Sequence, residues 1–205
     1  MNVGLYYGSE TGNSEMLCED IEAELGEGFT CDIQSLADVD PAALDKSWFY
    51  IFVTSTYGNG DLPSTALPFE AALTGDTPDL KGLRFAIFGL GDQVFAETFN
   101  HGSKKLAEML VAQGAVQVGE RGLHDASGFE MPEDIALPWV HAIMDPIAAA
   151  QAARASLPAP SSPAVQPGNP PLLRMLRCTE RDPTGRGRPA APQGHHVPPH
   201  RWLIP

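Results

Sequence analysis

Positive charge is scarce in this chain. Lys and Arg together number 13 among 205 residues, against 26 Asp and Glu, which leaves a formal net charge of -13. A nucleic-acid binder needs a basic footprint to displace counterions from phosphate, so the balance argues against that class. It argues equally against docking on anionic lipid. No apolar run reaches the ~18 residues of a membrane span, and Met1 to Tyr7 lacks the basic start and long apolar stretch of a secretory signal. The chain therefore reads as soluble and cytoplasmic. Cysteine is nearly missing too. Cys18, Cys31 and Cys178 are too few and too scattered for a disulfide framework or a zinc site, and they read as reduced thiols, one or two of them buried.

The charge that is present is unevenly placed. Residues 1–150 carry 6 basic and 24 acidic side chains, whereas residues 151–205 carry 7 Arg and 2 acids, together with 12 of the 19 prolines. Proline lacks the donor that a helix or a ladder needs, and the last 55 residues offer little apolar surface to offset the entropy of ordering. The expected organisation is one domain over 1–150 and a disordered Pro/Ala/Arg-rich tail over 151–205. Rival readings of the tail are a basic arm, a linker, or a metal site at His195, His196 and His200; Leu172 to Leu176 forms a short apolar island within it.

Over the first 150 residues, strand and helix patterns alternate. Val3 to Tyr7, Phe29 to Leu36, Trp48 to Val53, Leu83 to Leu90 and Val116 to Val118 read as strands; the third is apolar on both faces, as a central parallel strand should be. Helices are expected over Asn13 to Leu25, closed by Gly26, near Thr65 to Leu73, over Phe99 to Gln113, and over Pro132 to Ala150. This is the pattern of an α/β protein with a doubly wound parallel sheet and helices on both faces. Ligands of such sheets sit beyond the carboxyl ends of the strands, so the segments after Tyr7, Val53 and Leu90 hold the candidate site.

The first segment contains Ser9, Glu10, Thr11, Gly12, Asn13 and Ser14, at a helix start, where free backbone amides and the helix dipole favour an anion. It has three hydroxyls and no Lys or Arg, so it is neither a nucleotide P-loop nor a G-x-G-x-x-G turn. It suits a single terminal phosphate held without a counter-charge, or, alternatively, a plain capped turn. The second segment, Thr54, Ser55, Thr56, Tyr57, Gly58, Asn59 and Gly60, sets one aromatic among hydroxyls and glycines. Tyr57 offers a flat stacking face, or is an exposed turn tyrosine. The third segment, Gly89, Leu90, Gly91 and Asp92, is followed by Phe95, which either covers a planar ring or packs into the core. Aromatics on two loops at one sheet edge suggest a sandwich around a planar ring.

These three segments, with Asp61-Leu62-Pro63 following the second, resemble the FMN-binding loops of flavodoxins. The similarity covers roughly residues 1–145 and is nearest to short-chain, MioC-type flavodoxins and to the FMN domains of diflavin reductases; no extra segment is seen to interrupt the last strand region. The resemblance implies a five-stranded sheet of order 2-1-3-4-5 and the cofactor FMN. It implies that residues 9–14 hold the phosphate, that Tyr57 and Phe95 cover opposite faces of the isoalloxazine, that Gly58 and Asn59 face its N5 edge, and that Gly89 to Asp92 line the pyrimidine side. Phe95 stands where the family more usually has tyrosine, and Ser14 where it has threonine.

The function so implied is that of an electron carrier, a monomer shuttling single electrons between a basic ferredoxin- or flavodoxin-NADP reductase type of protein and an acceptor enzyme. The alternatives are an NAD(P)H-dependent FMN or quinone reductase, which would want basic residues that the three loops lack, and a detached FMN domain of a diflavin reductase. A phospho-receiver is set aside, because Gly8-Ser9 and Thr54-Ser55 stand where it needs aspartates. No acid, base, nucleophile or metal ligand is assigned: His101, His124 and His141 have no partner pattern, and no serine sits in a G-x-S-x-G elbow. Glu10, Asp61, Asp92 and Glu97 are expected to rim the site.

Overall fold

The apolar strands organise the fold, which a computed structural model describes for residues 1–155. The most apolar segment, β3 (Phe49–Ser55), is buried along all but its last residue. It pairs in parallel with β1 (Asn2–Gly8) on one side and β4 (Arg84–Gly91) on the other, and β2 (Thr30–Ser35) lies outside β1. The order β2-β1-β3-β4 continues into a fifth position, as expected for the doubly wound arrangement.

That fifth position departs from the sequence reading. The sequence pattern predicts a single uninterrupted strand near Val116 to Val118, but two short strands occupy the lane. β5 (Val116–Gln117) pairs with Arg84 and Phe85, and β6 (Gly122–Asp125) pairs with Phe88 to Gly91. Residues 118–121 step out between them, although the Val118 amide still donates to the Phe85 carbonyl at 2.7 Å. β6 has no apolar alternation to announce it. Its place is set by the ladder to β4 and by the Phe88 ring, which lies so close to Gly122 that any side chain there would collide with it.

Alternation along the strands divides the core into two layers. Leu5, Phe49, Ile51, Val53 and Phe88 face α1 (Asn13–Leu25) and α4 (Pro132–Ala155), meeting Leu17, Ile21, Val140 and Met144. Tyr6, Tyr50, Phe52 and Phe85 face α2 (Leu67–Gly75) and α3 (His101–Ala112), meeting Phe69, Leu73, Leu106 and Leu110. Phe52 is the hub of the second layer: the rings of Phe69 and Phe85 lie 5.9 Å away, those of Tyr6 and Tyr50 at 6.2 Å. Burying that ring contributes about 2–3 kcal/mol before any loss from a cavity is counted.

The β2–β3 crossover has no α-helix, only a single 3-10 turn at Pro41–Ala43, started by the Asp40 carboxylate accepting the Ala42 amide at 2.9 Å. α4 opens with Pro132 and accommodates Pro138 and Pro146, each of which removes one backbone bond from the helix. It reaches Ala155, five residues past the expected boundary at 150. The rest of the expected tail, with Cys178, the apolar island and the three late histidines, lies outside the described residues. No helix among the described residues is long and apolar enough to cross a membrane. The carboxyl ends of β1, β3, β4 and β6 come to one edge of the sheet, and the loops that follow them meet there.

Candidate functional site

The first loop turns sharply between β1 and α1 through Gly12, at φ 89°, a left-handed conformation that costs glycine little. Its early side chains brace it. Ser9 Oγ accepts the Gly12 amide at 2.9 Å and, more loosely, the Ser14 amide at 3.5 Å. The Ser9 amide donates to Thr65 Oγ1 at 2.8 Å, and that hydroxyl donates back to the Ser9 carbonyl at 2.9 Å. Both the amide and the hydroxyl of Ser64 donate to the Glu10 carboxylate. Thr11 and Asn13 stay exposed, and the N-cap residue of α1 is Gly12, which has no side chain to cap the helix. Ser14 is the exception to this mutual bonding: its side chain is fully buried, and its Oγ has no hydrogen-bond partner among the described residues. A buried hydroxyl left unpaired costs about 1–3 kcal/mol, and this one lies in the first turn of α1, where backbone amides and the helix dipole suit an anion.

The second loop is a tight loop closed by an isolated antiparallel bridge between Tyr57 and Asp61, whose amides and carbonyls exchange bonds of 2.9 and 2.8 Å. Gly58 and Gly60 supply the positive φ values, 55° and 97°, that turn the chain within it. Thr56 ties this loop to the third, its amide donating to the Leu90 carbonyl at 2.9 Å while its hydroxyl oxygen accepts the Gly102 amide at 3.1 Å. The third loop begins at Asp92, whose carboxylate accepts the Val94 amide at 2.8 Å and starts a single 3-10 turn at Gln93–Phe95.

These elements enclose a cleft of about 570 Å³. Of the residues expected from sequence, Asn13, Ser55, Thr56, Tyr57, Gly58, Leu90, Gly91, Asp92 and Phe95 line it. Tyr57 and Phe95 are 60% and 63% exposed, so Phe95 is no core residue. Others serve the walls. Thr54 is buried, with its hydroxyl turned to the Ser55 carbonyl at 3.2 Å. A side chain at Gly60 would meet His101, and one at Gly89 would strike Asn100 and Ser103 of the α3 start. Asn59 is exposed at the loop tip.

Sequence reasoning missed Thr98, Phe99 and Ala126, which also line the cleft. Phe99 follows Phe95 by one helical turn, a spacing that could have signalled it; nothing local signals Ala126. It missed the braces Ser64 and Thr65 as well, because they act across more than fifty residues.

Of the four carboxylates expected to rim the site, Asp92 lines the cleft. Glu10 is tied to Ser64, and Asp61 lies 3.9 Å from Lys105, which pairs more closely with Glu70 at 2.8 Å. Glu97 is exposed on the third loop. No Lys or Arg lines the cleft among the described residues, and no group of His, Cys, Asp and Glu among them could hold a metal ion. His124 is buried with its ring against the Glu130 carbonyl, and His141 sits between two carboxylates on the helical face away from the cleft lining.

Comparison with known proteins agrees with this geometry. A family model described as flavodoxin matches residues 5–139. The chain belongs to the flavodoxin family. The protein MioC of Escherichia coli strain K12 is 33% identical over 140 residues, covering 68% of this chain and 93% of MioC. A solved flavodoxin from Pseudomonas aeruginosa, carrying a single cysteine-to-serine substitution, superposes with a TM-score of 0.62 at 28% identity, covering 73% of this chain and 98% of that one. NADPH-dependent diflavin oxidoreductase 1 of Emericella nidulans is 37% identical over 139 residues, but the chain spans only 21% of that enzyme's length. Flavodoxins bind FMN, and this chain's residues fit that group. The orphaned Ser14 hydroxyl and the open start of α1 suit a phosphate, and two exposed aromatics flank a cleft large enough for a planar ring.

Proposed function

We propose that this flavodoxin is a one-electron carrier with FMN as its cofactor and no substrate turnover of its own. The observation that carries this reading is a cleft walled by Tyr57 and Phe95 in which, among the described residues, the one charged lining group is Asp92, whose carboxylate is engaged by the Val94 amide, and no Lys, Arg or His lines it. FMN, when bound, takes up and returns electrons at its isoalloxazine ring. The Ser14 hydroxyl and the amides at the start of α1 would hold its phosphate. Ser9 and Glu10 would keep those donors aimed, by anchoring the loop to Ser64 and Thr65. Tyr57 and Phe95 would cover the two ring faces, and the turn at Gly58 and Asn59 would meet the ring's edge. Gly91 and Asp92 would line its pyrimidine side.

The 24 acids and 6 bases of residues 1–150 bear on both potential and partners. Carboxylates near the ring disfavour each added negative charge, the second more than the first, and so lower the potential at which a second electron enters. The same field steers basic partner proteins to the exposed cleft, a reductase on one side of the exchange and an acceptor on the other. A second reading draws on the diflavin relative: the chain serves as an FMN module that exchanges electrons with a separate NADPH-dependent reductase module.

The discriminating experiment mixes the FMN-loaded protein with NADPH in the absence of oxygen. A carrier leaves the flavin absorbance unchanged until a catalytic amount of a basic NADPH-dependent flavodoxin reductase is added, and then bleaches. Direct bleaching by NADPH alone would overturn the carrier reading in favour of a reductase.

A further inference from the structure

The turn that carries Phe95 is fastened from outside itself. A helical turn begins with amides that have no partner within it. Here the Val94 amide goes to the Asp92 carboxylate at 2.8 Å and the Phe95 amide to the Asp92 carbonyl at 3.0 Å. The first amide, that of Gln93, is left over. It donates at 2.8 Å to Asp125, thirty-two residues later at the end of β6. The same Asp125 oxygen accepts the Ser127 amide at 3.0 Å and the Ser127 hydroxyl at 2.8 Å, while the Ala126 amide extends the ladder to Gly91 at 2.8 Å. One carboxylate therefore joins the third loop to a fourth, which begins at Ala126 in the cleft wall.

From this geometry we infer that Asp125 is a positioning residue for the flavin site: it holds the Gln93–Phe95 turn so that the Phe95 ring keeps its place over the cleft. The inference rests on the reading of Phe95 as the cover of one ring face. Phe95 needs such support, because it is exposed and its own side chain is not anchored in the core. The bond from the Gln93 amide, with those of Ser127, holds the Asp125 carboxyl below the usual carboxylate range, so near neutral pH it is a full-time acceptor. Asp92 alone cannot do this work, since its carboxylate fixes the second amide of the turn and leaves the first free to swing.

The test is a double-mutant cycle on the apo-protein, read by quenching of FMN fluorescence. Asp125→Ala and Phe95→Ala are each expected to weaken FMN binding about tenfold, and the pair together no more than about twofold beyond Phe95→Ala alone, because both remove one contact. Asp125→Asn, which keeps an acceptor oxygen, should stay within about threefold of the parent. Amide exchange of Gln93 in the apo-protein should quicken at least about tenfold in Asp125→Ala and little in Asp125→Asn. Losses that multiply in the double variant, or an Asp125→Ala protein that binds FMN normally, would overturn the proposal. A Phe95→Ala protein that binds FMN normally would instead overturn the stacking on which it rests, and the two failures are told apart by which single variant is silent. Where Asp125→Ala does not fold, Gln93→Pro removes the donor instead. Asp92 already has the extended backbone (φ -135°, ψ 120°) that a residue before proline prefers, and the first position of the turn tolerates the ring. Its loss should likewise vanish against Phe95→Ala, and a multiplicative loss would count against the proposal.

Discussion

Replacing Ser14 by alanine should move two properties in opposite directions. The Ser14 hydroxyl is fully buried and has no partner among the described residues, so where no phosphate accepts from it its removal should relieve about 1–3 kcal/mol of unmet desolvation. The apo variant should therefore melt higher, by roughly 2–4 °C for each kcal/mol in a domain of this size. For FMN the sign reverses. A hydroxyl donating to a phosphate is a hydrogen bond to a charged group, worth about 1.5–3 kcal/mol, and its loss should weaken FMN about ten- to a hundredfold. Riboflavin, which lacks the phosphate, should bind parent and variant within about twofold, since the ring contacts are untouched. The assays are thermal melts of the apo-proteins and fluorescence titrations with both flavins. A variant less stable than its parent, with FMN affinity unchanged, would refute the assignment of Ser14 to the phosphate.

Other expectations follow from neighbouring observations. Gly89→Ala places a Cβ 2.8 Å from the Ser103 Cβ and into the Asn100 side chain. It should lower stability by about 1–3 kcal/mol in urea melts; a neutral substitution would mean that the start of α3 can retreat from β4 at no cost. His141 lies 2.7 Å from Glu24 of α1 and 3.4 Å from Asp145 one turn further along α4. Those two carboxylates, Glu24 first, raise its pKa above the ordinary 6.5. Its charged form thus favours the folded state below pH ~6.5, and that contribution fades as pH rises through the raised value. Urea midpoints measured from pH 5.5 to 8.5 should therefore fall more in the parent than in His141→Ala, most visibly at low salt; equal slopes would show that the contact is too solvated to matter. Finally, reduction of the FMN-loaded protein by a basic reductase should slow severalfold between about 50 and 500 mM salt, and a salt-independent rate would remove charge steering from the account.

The parts of the fold written in local pattern were readable from sequence, and the parts set by contact across the chain were not. Trp48 to Val53 and Leu83 to Leu90 announce themselves as central strands because both faces of each are buried. β6 does not: in Gly122-Leu123-His124-Asp125 the one large apolar residue, Leu123, is exposed, and the strand exists through its ladder to β4. The site divides in the same way. Gly12, Tyr57, Gly58 and Asp92 could be read from turn chemistry and position after a strand. The anchoring of Glu10 on Ser64, the fit of Gly89 against Asn100, and the reach of Asp125 to Gln93 join residues from 11 to 54 positions apart. Glu10 shows the difference most sharply, since a residue that reads as a rim charge is a loop brace.

The measurement that bears most directly on the central claim is a redox titration of the FMN-loaded protein, followed by absorbance at set potentials. The account expects one FMN per chain and two separated one-electron steps, the second well below that of free FMN because of the acidic surroundings. A chain that takes up no FMN, or that holds it but reduces it in a single two-electron step at the potential of the free cofactor, would contradict the account.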